Sequence, residues 1–599
     1  YNEPFICEEG GQIRFTDIID GKTVQEKVDN VTSQTTLTIM EFRSTNYRPA
    51  MKTRTKMTLL LCSLLPLCAS GAQGGNISLK ITKQYLNFPV SHQQERSRMT
   101  FETEGAPDLS VVIRLAPEEA DYWVFRDMSA FEGKTVRIAY EGDPRGLAKI
   151  YQSDRIAGQD SLYHEKNRPQ FHFTTRRGWI NDPNGLVFHN GEYHLFYQHN
   201  PYERDWQNMH WGHAVSEDLV HWKELPDALC PDSLGTMYSG SAVIDYANTA
   251  GFNRDGKPAL VAIYTAAGPE RQVQCLAYSL DDGRTFTKYA GNPVIDSRDK
   301  WNSKDTRDPK VFWYAPAGHW VLVLNERDGH SIYTSADLKK WTYESHVTGF
   351  WECPELFELP VDGNPENKKW VMYGASGTYM LGSFDGRGFR PESGKYRYTT
   401  GSIYAAQTYT NIPAADGRRI QIGWGRISHP GMPFNGMMTL PTELTLRTTK
   451  NGVRLASTPI AELDRLFRPL AEWRGLTPDE ANRKLEKFGK TDRLRIRTTI
   501  ELSHATDAGL SLDGQPIVAY DLNHNTLNGR FYSPQDPTSM RLTADIYLDR
   551  TSAEVFIDGG LYSYSMERRP QTGNNGGFRF RGNRIKVCSL EVFAVGSIW

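Results

Sequence analysis

The sequence predicts an all-β protein: a five-bladed β-propeller, followed by a C-terminal β-sandwich and preceded by a small N-terminal β domain. Three observations lead there. A turn signature recurs through the middle of the chain, where a strand-like run ends in Ser and is followed by an Asp and an aromatic. The copies are Ser216 with Asp218 and Trp222, Ser279 with Asp282 and Phe286, Ser335 with Asp337 and Trp341, and Ser383 with Asp385 and Phe389. Asp closes a turn and the aromatic begins the return strand, so each copy reads as a hairpin. The stretches between copies carry almost no helical periodicity. Regular recurrence of one hairpin unit is a property of blades arrayed about an axis, and a sandwich with long insertions does not explain it. Four copies flanked by β-rich segments give five blades.

The elements follow in order. Residues 1–50 are assigned no function. Residues 51–72 have the three-part order of a signal peptide. Lys52, Arg54 and Lys56 form a positive head, Met57 to Leu67 an apolar core too short to span a bilayer, and Ser70-Gly71-Ala72 a small-residue cleavage site. Such a segment belongs at the start of translation, which places the expected start at Met51. The mature protein is therefore expected to be exported, to the periplasm, the cell surface or the medium, without a transmembrane span. Lipidation at Cys68 is the alternative, although Leu65-Pro66-Leu67 before it makes a poor lipobox. Residues 76–165 alternate as strands do, in Ser78 to Thr82 and in Val111 to Leu115, and read as an accessory β domain. Within it, Asp121-Tyr122-Trp123-Val124-Phe125 reads as core more readily than as a binding patch. Residues 166–450 hold the repeats and form the expected catalytic propeller. Ile460 to Leu466 reads as a short helix or linker. Residues 465–599 alternate again, as in Arg493 to Arg497 and Ala553 to Ile557, with Gly-rich turns between the strands of a sandwich.

Composition narrows the function. A chain of 599 residues exceeds one core. The net charge of -2 points to neither nucleic acid nor an anionic membrane as partner. Aromatics make up 12%, with 14 Trp and 29 Tyr, which suits both stacking on sugar faces and packing of large β cores. The seven cysteines show no C-x-x-C spacing, so neither a structural zinc nor a disulfide framework is expected.

Three short motifs carry the chemistry: Trp179-Ile180-Asn181-Asp182-Pro183-Asn184-Gly185, Arg307-Asp308-Pro309 and Glu352-Cys353-Pro354. Each places a carboxylate beside a turn-forming residue next to a strand-like run. Glycosidic bond cleavage asks for such a set: one group attacks or activates water, one protonates the leaving oxygen, and a third holds sugar hydroxyls. Inner strands of a propeller converge on one mouth, so residues far apart in sequence can meet there. Glu355 rivals Glu352 within one motif. Cys353 reads as a small buried side chain rather than a nucleophile. His210 and His213 have ligand-like spacing, but within a strand they more often pack or bond to the backbone.

These motifs, together with Phe196-Tyr197-Gln198, Trp211-Gly212-His213-Ala214, Tyr238-Ser239-Gly240-Ser241-Ala242 and the continuation of Arg307-Asp308-Pro309 into Lys310-Val311, resemble glycoside hydrolase family 32, the β-fructosidases. The resemblance runs from about Arg168 to the C-terminus. It implies a five-bladed propeller with a following sandwich, no cofactor, no metal, and a fructan or fructo-oligosaccharide as partner. It implies release of terminal β-fructofuranosyl units from levan, inulin or sucrose by double displacement, with the two reacting carboxyls roughly 5–5.5 Å apart. By the same matching, Asp182 is the nucleophile, Glu352 the acid/base and Asp308 the transition-state stabiliser. Asn181, Gln198, Trp206, Tyr238, Ser239, Arg307 and Trp424 line the fructose pocket. An apolar wall from Phe350 and Trp351 is expected to keep Glu352 protonated, and amide donors to keep Asp182 ionised. Tyr238 stands where Phe is frequent, and the segment Gly401 to Gln407 aligns only loosely, which leaves β-2,1 against β-2,6 preference open. Transfructosylation, a catalytically silent fructan binder and an inverting arabinan or xylan hydrolase are the competing readings.

Overall fold

The computed structural model describes residues 13–19, 22–28 and 74–599, apart from 302, 304, 490, 503–506, 522–525, 529, 532–539, 569–576 and 583–584. The expected signal peptide at 51–72 and Cys68 lie outside the described residues. Strands Ile13–Ile19 and Lys22–Val28 form an antiparallel hairpin within a separate unit, Tyr1–Ala69. The remainder, Ser70–Trp599, is one unit and is all-β, with few and short helices.

Its N-terminal module has two sheets. One orders Gly75–Lys80, Thr135–Tyr140, Ser97–Thr103 and Leu109–Ile113; the other orders Tyr122–Asp127, Tyr85–Val90 and Tyr151–Ser153. Alternation decides what faces inward: Met99, Phe101, Val111, Ile113, Val136 and Ile138 are buried between the sheets. Tyr122 and Val124 join this core, while Trp123 packs edge-on against Tyr151 at the surface.

The middle of the chain builds consecutive antiparallel groups. The first orders Gly178–His189, Glu192–Asn200, His210–Ser216 and Lys223–Leu229. The second runs Thr236–Asp245, Ala259–Ala267, Gln272–Ser279 and Thr287–Lys288. The third runs Thr306–Tyr314, His319–Glu326, Gly329–Ser335 and Thr342–Thr348. A nine-stranded sheet follows. It contains Glu355–Val361 through Phe389–Arg397, joined by one parallel pair, Val361 with Leu446, to a group of Ile403–Thr408, Arg419–Gly425, Thr442–Thr449 and Gly452–Pro459. Within the first group, strand His210–Ser216 is buried throughout, whereas the outermost strand Lys223–Leu229 is mostly half-buried.

Apolar clusters join these groups in a cycle. Phe196 and Trp211 meet Met237 and Ala262; Val261 and Ile263 meet Val311 and Leu322; Val323 and Ile332 meet Leu356 and Met372. Phe357 and Val371 meet Leu444 and Leu455, and Ile420 and Ile422 return to Ile180 and Leu195. The innermost strands are also tied by side chains. Ser241 Oγ donates to Pro309 O (2.8 Å), Thr410 Oγ1 to Ala242 O (2.7 Å), and Gln407 Nε2 to Gly240 O (2.9 Å). Burial of these polar groups is tolerated because each finds a partner.

Two sequence expectations need correction. In the second group the turn carboxylate is Asp281, whose Oδ1 accepts from Ser279 Oγ (2.7 Å), as Asp218 does from Ser216 and Asp337 from Ser335. Asp282 points back to His189 and Asn190 of the first group. The offset from Ser is thus two residues in all three turns. The boundary at 450 cuts through the hairpin of Thr442–Thr449 and Gly452–Pro459, so the central sheets end at Pro459. Beyond it, a seven-stranded sheet contains Leu494–Glu501, Arg541–Leu548 and Lys586–Val595, and a five-stranded one contains Asp507–Leu512 and Gln515–Asp521. The helix Pro478–Leu485, which precedes Leu494–Glu501, starts with a capping box from Thr477 and Glu480. One strand of the seven, Thr399–Gly401, comes from the middle of the chain and pairs in parallel with Tyr562–Glu567.

Candidate active site

Four innermost strands break register within their first few residues: between Ile180 and Pro183, Tyr238 and Gly240, Arg307 and Lys310, and Tyr404 and Gln407. A bulge bends its strand and re-aims a side chain. Here the bulges present Asp182, Ser239, Asp308 and Tyr404 to one space. Asp308 (φ +67), Glu352 (φ +50) and Cys353 (φ +40) also hold left-handed backbone that non-glycine residues rarely adopt. Such strain persists only where the surroundings impose it. Glu352 N–H donates to Asn325 Oδ1 (2.8 Å), Cys353 N–H to Asp308 Oδ2 (3.0 Å), and Asp308 N–H to Thr265 Oγ1 (3.1 Å).

The space is a pocket of about 450 Å³. Asp182, Asp308 and Glu352 all line it, and so do Asn181, Gln198, Trp206, Tyr238, Ser239, Arg307 and Trp424. Gln272 and Tyr404 complete the wall. A larger cavity, about 880 Å³, is lined by Trp313, Trp370 and Arg419 but by none of the three carboxylates, so size does not identify the reactive site.

Asp182 Oδ2 accepts from Ser239 Oγ (2.8 Å) and Oδ1 from Asn181 Nδ2 (3.2 Å), and Trp179 Nε1 fixes the Asn181 amide through Oδ1 (2.8 Å). With its amide turned so that the oxygen accepts from Gln198 Nε2 (3.0 Å), Asn184 links Gln198 to Ser239 (3.2 Å). Cys353 Sγ lies 3.6 Å from a carboxylate oxygen of both Asp182 and Asp308. Burial and the three surrounding carboxylates push its thiol well up, against a role as thiolate nucleophile. Arg307 grips Glu352 Oε1 through Nη2 (2.7 Å) and Nε (3.2 Å), reaches Gln272 (3.3 Å) and Asp305, and lies over the Trp351 ring (5.5 Å). Tyr404 donates to Glu352 Oε2 (2.5 Å).

The electrostatics reverse one expectation. Around Glu352, Phe350 stacks on His330, Trp351 is 46% exposed with Arg307 over its ring, and the carboxylate is ion-paired with Arg307. Burial acts on Asp182, expected to stay ionised through its amide donors, and on Asp308. It raises Asp182 above the usual carboxylate range, against the pull of Ser239 and Asn181 and with a further push from Glu352. It raises Asp308 to about 7; Arg307 pulls that value down, and Asp182 and Glu352 push it up. Three acids in one pocket resist being charged together.

The neighbouring candidates have structural partners. Glu355 is buried against Lys310 (2.8 Å) and accepts from Thr408 Oγ1 (2.6 Å), outside the pocket. His210 Nδ1 sits at 2.5 Å from Asn208 O, and His213 pairs with His194 (3.1 Å), so the two histidines serve different neighbours. Gln407 ties Leu186 N–H (3.0 Å) to Gly240 O and takes no part in the wall. Sequence reasoning missed Gln272 and left Tyr404 unassigned. Tyr404 stood in a segment already known to align loosely; Gln272 carried no signal.

The family model for the glycosyl hydrolases family 32 N-terminal domain matches residues 172–459. A levanase of Bacillus subtilis is 40% identical over 505 residues, 76% of this chain and 74% of that protein. An extracellular exo-inulinase of Aspergillus niger is 34% identical over 525 residues, 73% of this chain and 96% of its own length. The crystal structure of exo-inulinase from Aspergillus awamori superimposes with a TM-score of 0.64 at 29% identity, covering 73% of this chain and all of that one.

Proposed function

The chain belongs to glycoside hydrolase family 32, and we propose that Asp182, Asp308 and Glu352 divide its reaction among them. The activity is that of a β-fructosidase, hydrolysing the fructofuranosyl bonds of fructan or sucrose. One observation carries the assignment of roles: three carboxylates from three different strand groups line a single pocket.

Asp182 attacks the anomeric carbon and forms a fructosyl-enzyme. Ser239 and Asn181 hold its carboxylate for in-line approach. Glu352 protonates the departing oxygen and then takes a proton from water; Arg307 and Tyr404 fix its two oxygens for both steps. Asp308, lining the same pocket, binds fructose hydroxyls as positive charge grows on the sugar. Trp424 supports a binding role. Its indole N–H is buried without a partner among the described residues, and its ring packs edge-on to Trp179 and Tyr404. No step calls for a metal or cofactor, since attacking group, acid and base are all side chains.

The same reading treats the five strand groups as propeller blades and the two C-terminal sheets as a sandwich. The five-part cycle of apolar clusters supports it. It also takes the leader at 51–72 as an export signal, supported by the extracellular relative; among the described residues no helix is long and apolar enough to cross a membrane. Incubation with levan, inulin and sucrose, with product sizing and the anomer of released fructose followed by NMR, tests the proposal. Release of fructose with retained configuration supports double displacement, and inversion overturns it.

A further inference from the structure

The N-terminal module and the pocket meet on one loop, residues 201–208, between strands Glu192–Asn200 and His210–Ser216. Tyr202 inserts into the module's core beside Phe88 (6.2 Å) and Phe101 (6.0 Å). The fully buried Glu203 carboxylate accepts from Arg96 Nε (2.9 Å), from Arg114 Nη1 (3.0 Å) and from the Arg114 backbone N–H (2.9 Å). Arg204 N–H donates to the Tyr122 hydroxyl (3.2 Å). Asp205 takes both guanidinium groups at 2.9 Å. The Asn208 amide exchanges two 2.8 Å hydrogen bonds with the backbone of Val112. Trp206 lies within this loop but faces the pocket, 46% exposed and edge-on to Tyr238 (6.0 Å).

We propose that the N-terminal module is a positioning element of the active site, which through Arg96 and Arg114 fixes the loop that presents Trp206 to the sugar chain. The physical need is plain. The loop has no ladder of its own, and a half-exposed indole binds a sugar face well only if its backbone is already ordered. Two arginines against two carboxylates supply that order, because guanidinium forks fix direction as well as charge. Arg96 and Arg114 touch no substrate; they act through Trp206. The module is then a structural part of the pocket mouth rather than a separate appendage.

The inference rests on the reading of the pocket above, and a double-mutant cycle in the full chain separates the two. Fructose release by the unaltered protein tests that reading. Coupling between Arg114→Ala and Trp206→Ala tests the inference. Arg114→Ala is expected to raise KM for a fructo-oligosaccharide at least threefold with kcat within twofold, because a wall residue holds ground state and transition state alike. Trp206→Ala moves KM the same way, and adding Arg114→Ala to it costs nothing further. Arg114→Lys recovers part of the loss. Should Arg114→Ala fail to fold because Glu203 is left buried and short of a cation, Arg96→Ala enters the same cycle from a more solvent-facing position. An unchanged KM, or an arginine effect undiminished in the Trp206→Ala background, overturns the proposal.

Discussion

Tyr404 donates its hydroxyl to Oε2 of Glu352 at 2.5 Å, the oxygen that Arg307 leaves free. The phenol comes from a strand of the fifth group and reaches Glu352 only because of the bulge between Tyr404 and Gln407. A hydrogen bond to a charged group contributes about 1.5–3 kcal/mol. Tyr404→Phe keeps the ring that packs against Trp424 and removes only the donor. Turnover is expected to fall roughly 10- to 100-fold, with only a small drop in melting temperature. Steady-state kinetics beside a thermal melt decide it, and a kcat equal to the unaltered protein's would leave Tyr404 as packing alone.

Asp308 makes stability depend on pH. Its folded pKa of about 7 lies above the unfolded value of about 4. The native state therefore holds a proton that the unfolded chain has already lost. Stability falls as pH rises from about 4 through about 7 and levels off beyond. Asp308→Asn removes that loss while abolishing the carboxylate's grip on substrate. Its gain in melting temperature over the unaltered protein is expected to be larger at pH 8 than at pH 5, with activity at least a hundredfold lower. Equal gains at both pH values would place the proton elsewhere.

How far the sequence reached depends on what each residue type encodes. Asp182, Asp308 and Glu352 stood out because each sits beside a turn-former in or just before an inner strand, in motifs that resemble the family's; the fold then brings them to one pocket. Bulges and left-handed backbone at Asp308, Glu352 and Cys353 are imposed by neighbours such as Asn325 and Thr265, and no local pattern announces them. Gln272 faces the pocket from the beginning of a third strand, where nothing in its neighbours distinguishes it from an ordinary surface amide. Asp281 and Asp282 could not be separated because adjacent acids both satisfy a turn motif; only the Ser279 hydroxyl chooses between them. Phe350, next but one to Glu352 in sequence, stacks on His330, because the left-handed backbone at Glu352 and Cys353 redirects the chain there.

Glu355 offers a control. Lys310 and Glu355 are 3% and 1% exposed and meet at 2.8 Å, with Thr408 completing both groups. Breaking such a pair from one side leaves a buried charge and costs about 3–5 kcal/mol. Glu355→Ala is expected to lower stability by that order in denaturant titration. Joint replacement, Lys310→Met with Glu355→Leu, should recover much of the loss. A single variant with normal stability but a hundredfold lower turnover would return Glu355 to candidacy as the acid.

Leaving-group chemistry separates the two reacting acids. A substrate whose aglycone departs without protonation, such as a fructosyl fluoride, makes no demand on the acid in the first step but the full demand on the nucleophile. Asp182→Asn is expected to lose at least a hundredfold on fluoride and fructan alike. Glu352→Gln should lose that much on fructan, yet with fluoride it should show a rapid first turnover followed by slow release. The fructosyl-enzyme then waits for a water that no base activates. Rapid-quench measurement of fluoride release reads this burst directly. A Glu352→Gln enzyme without a burst, or an Asp182→Asn enzyme with one, would exchange the roles.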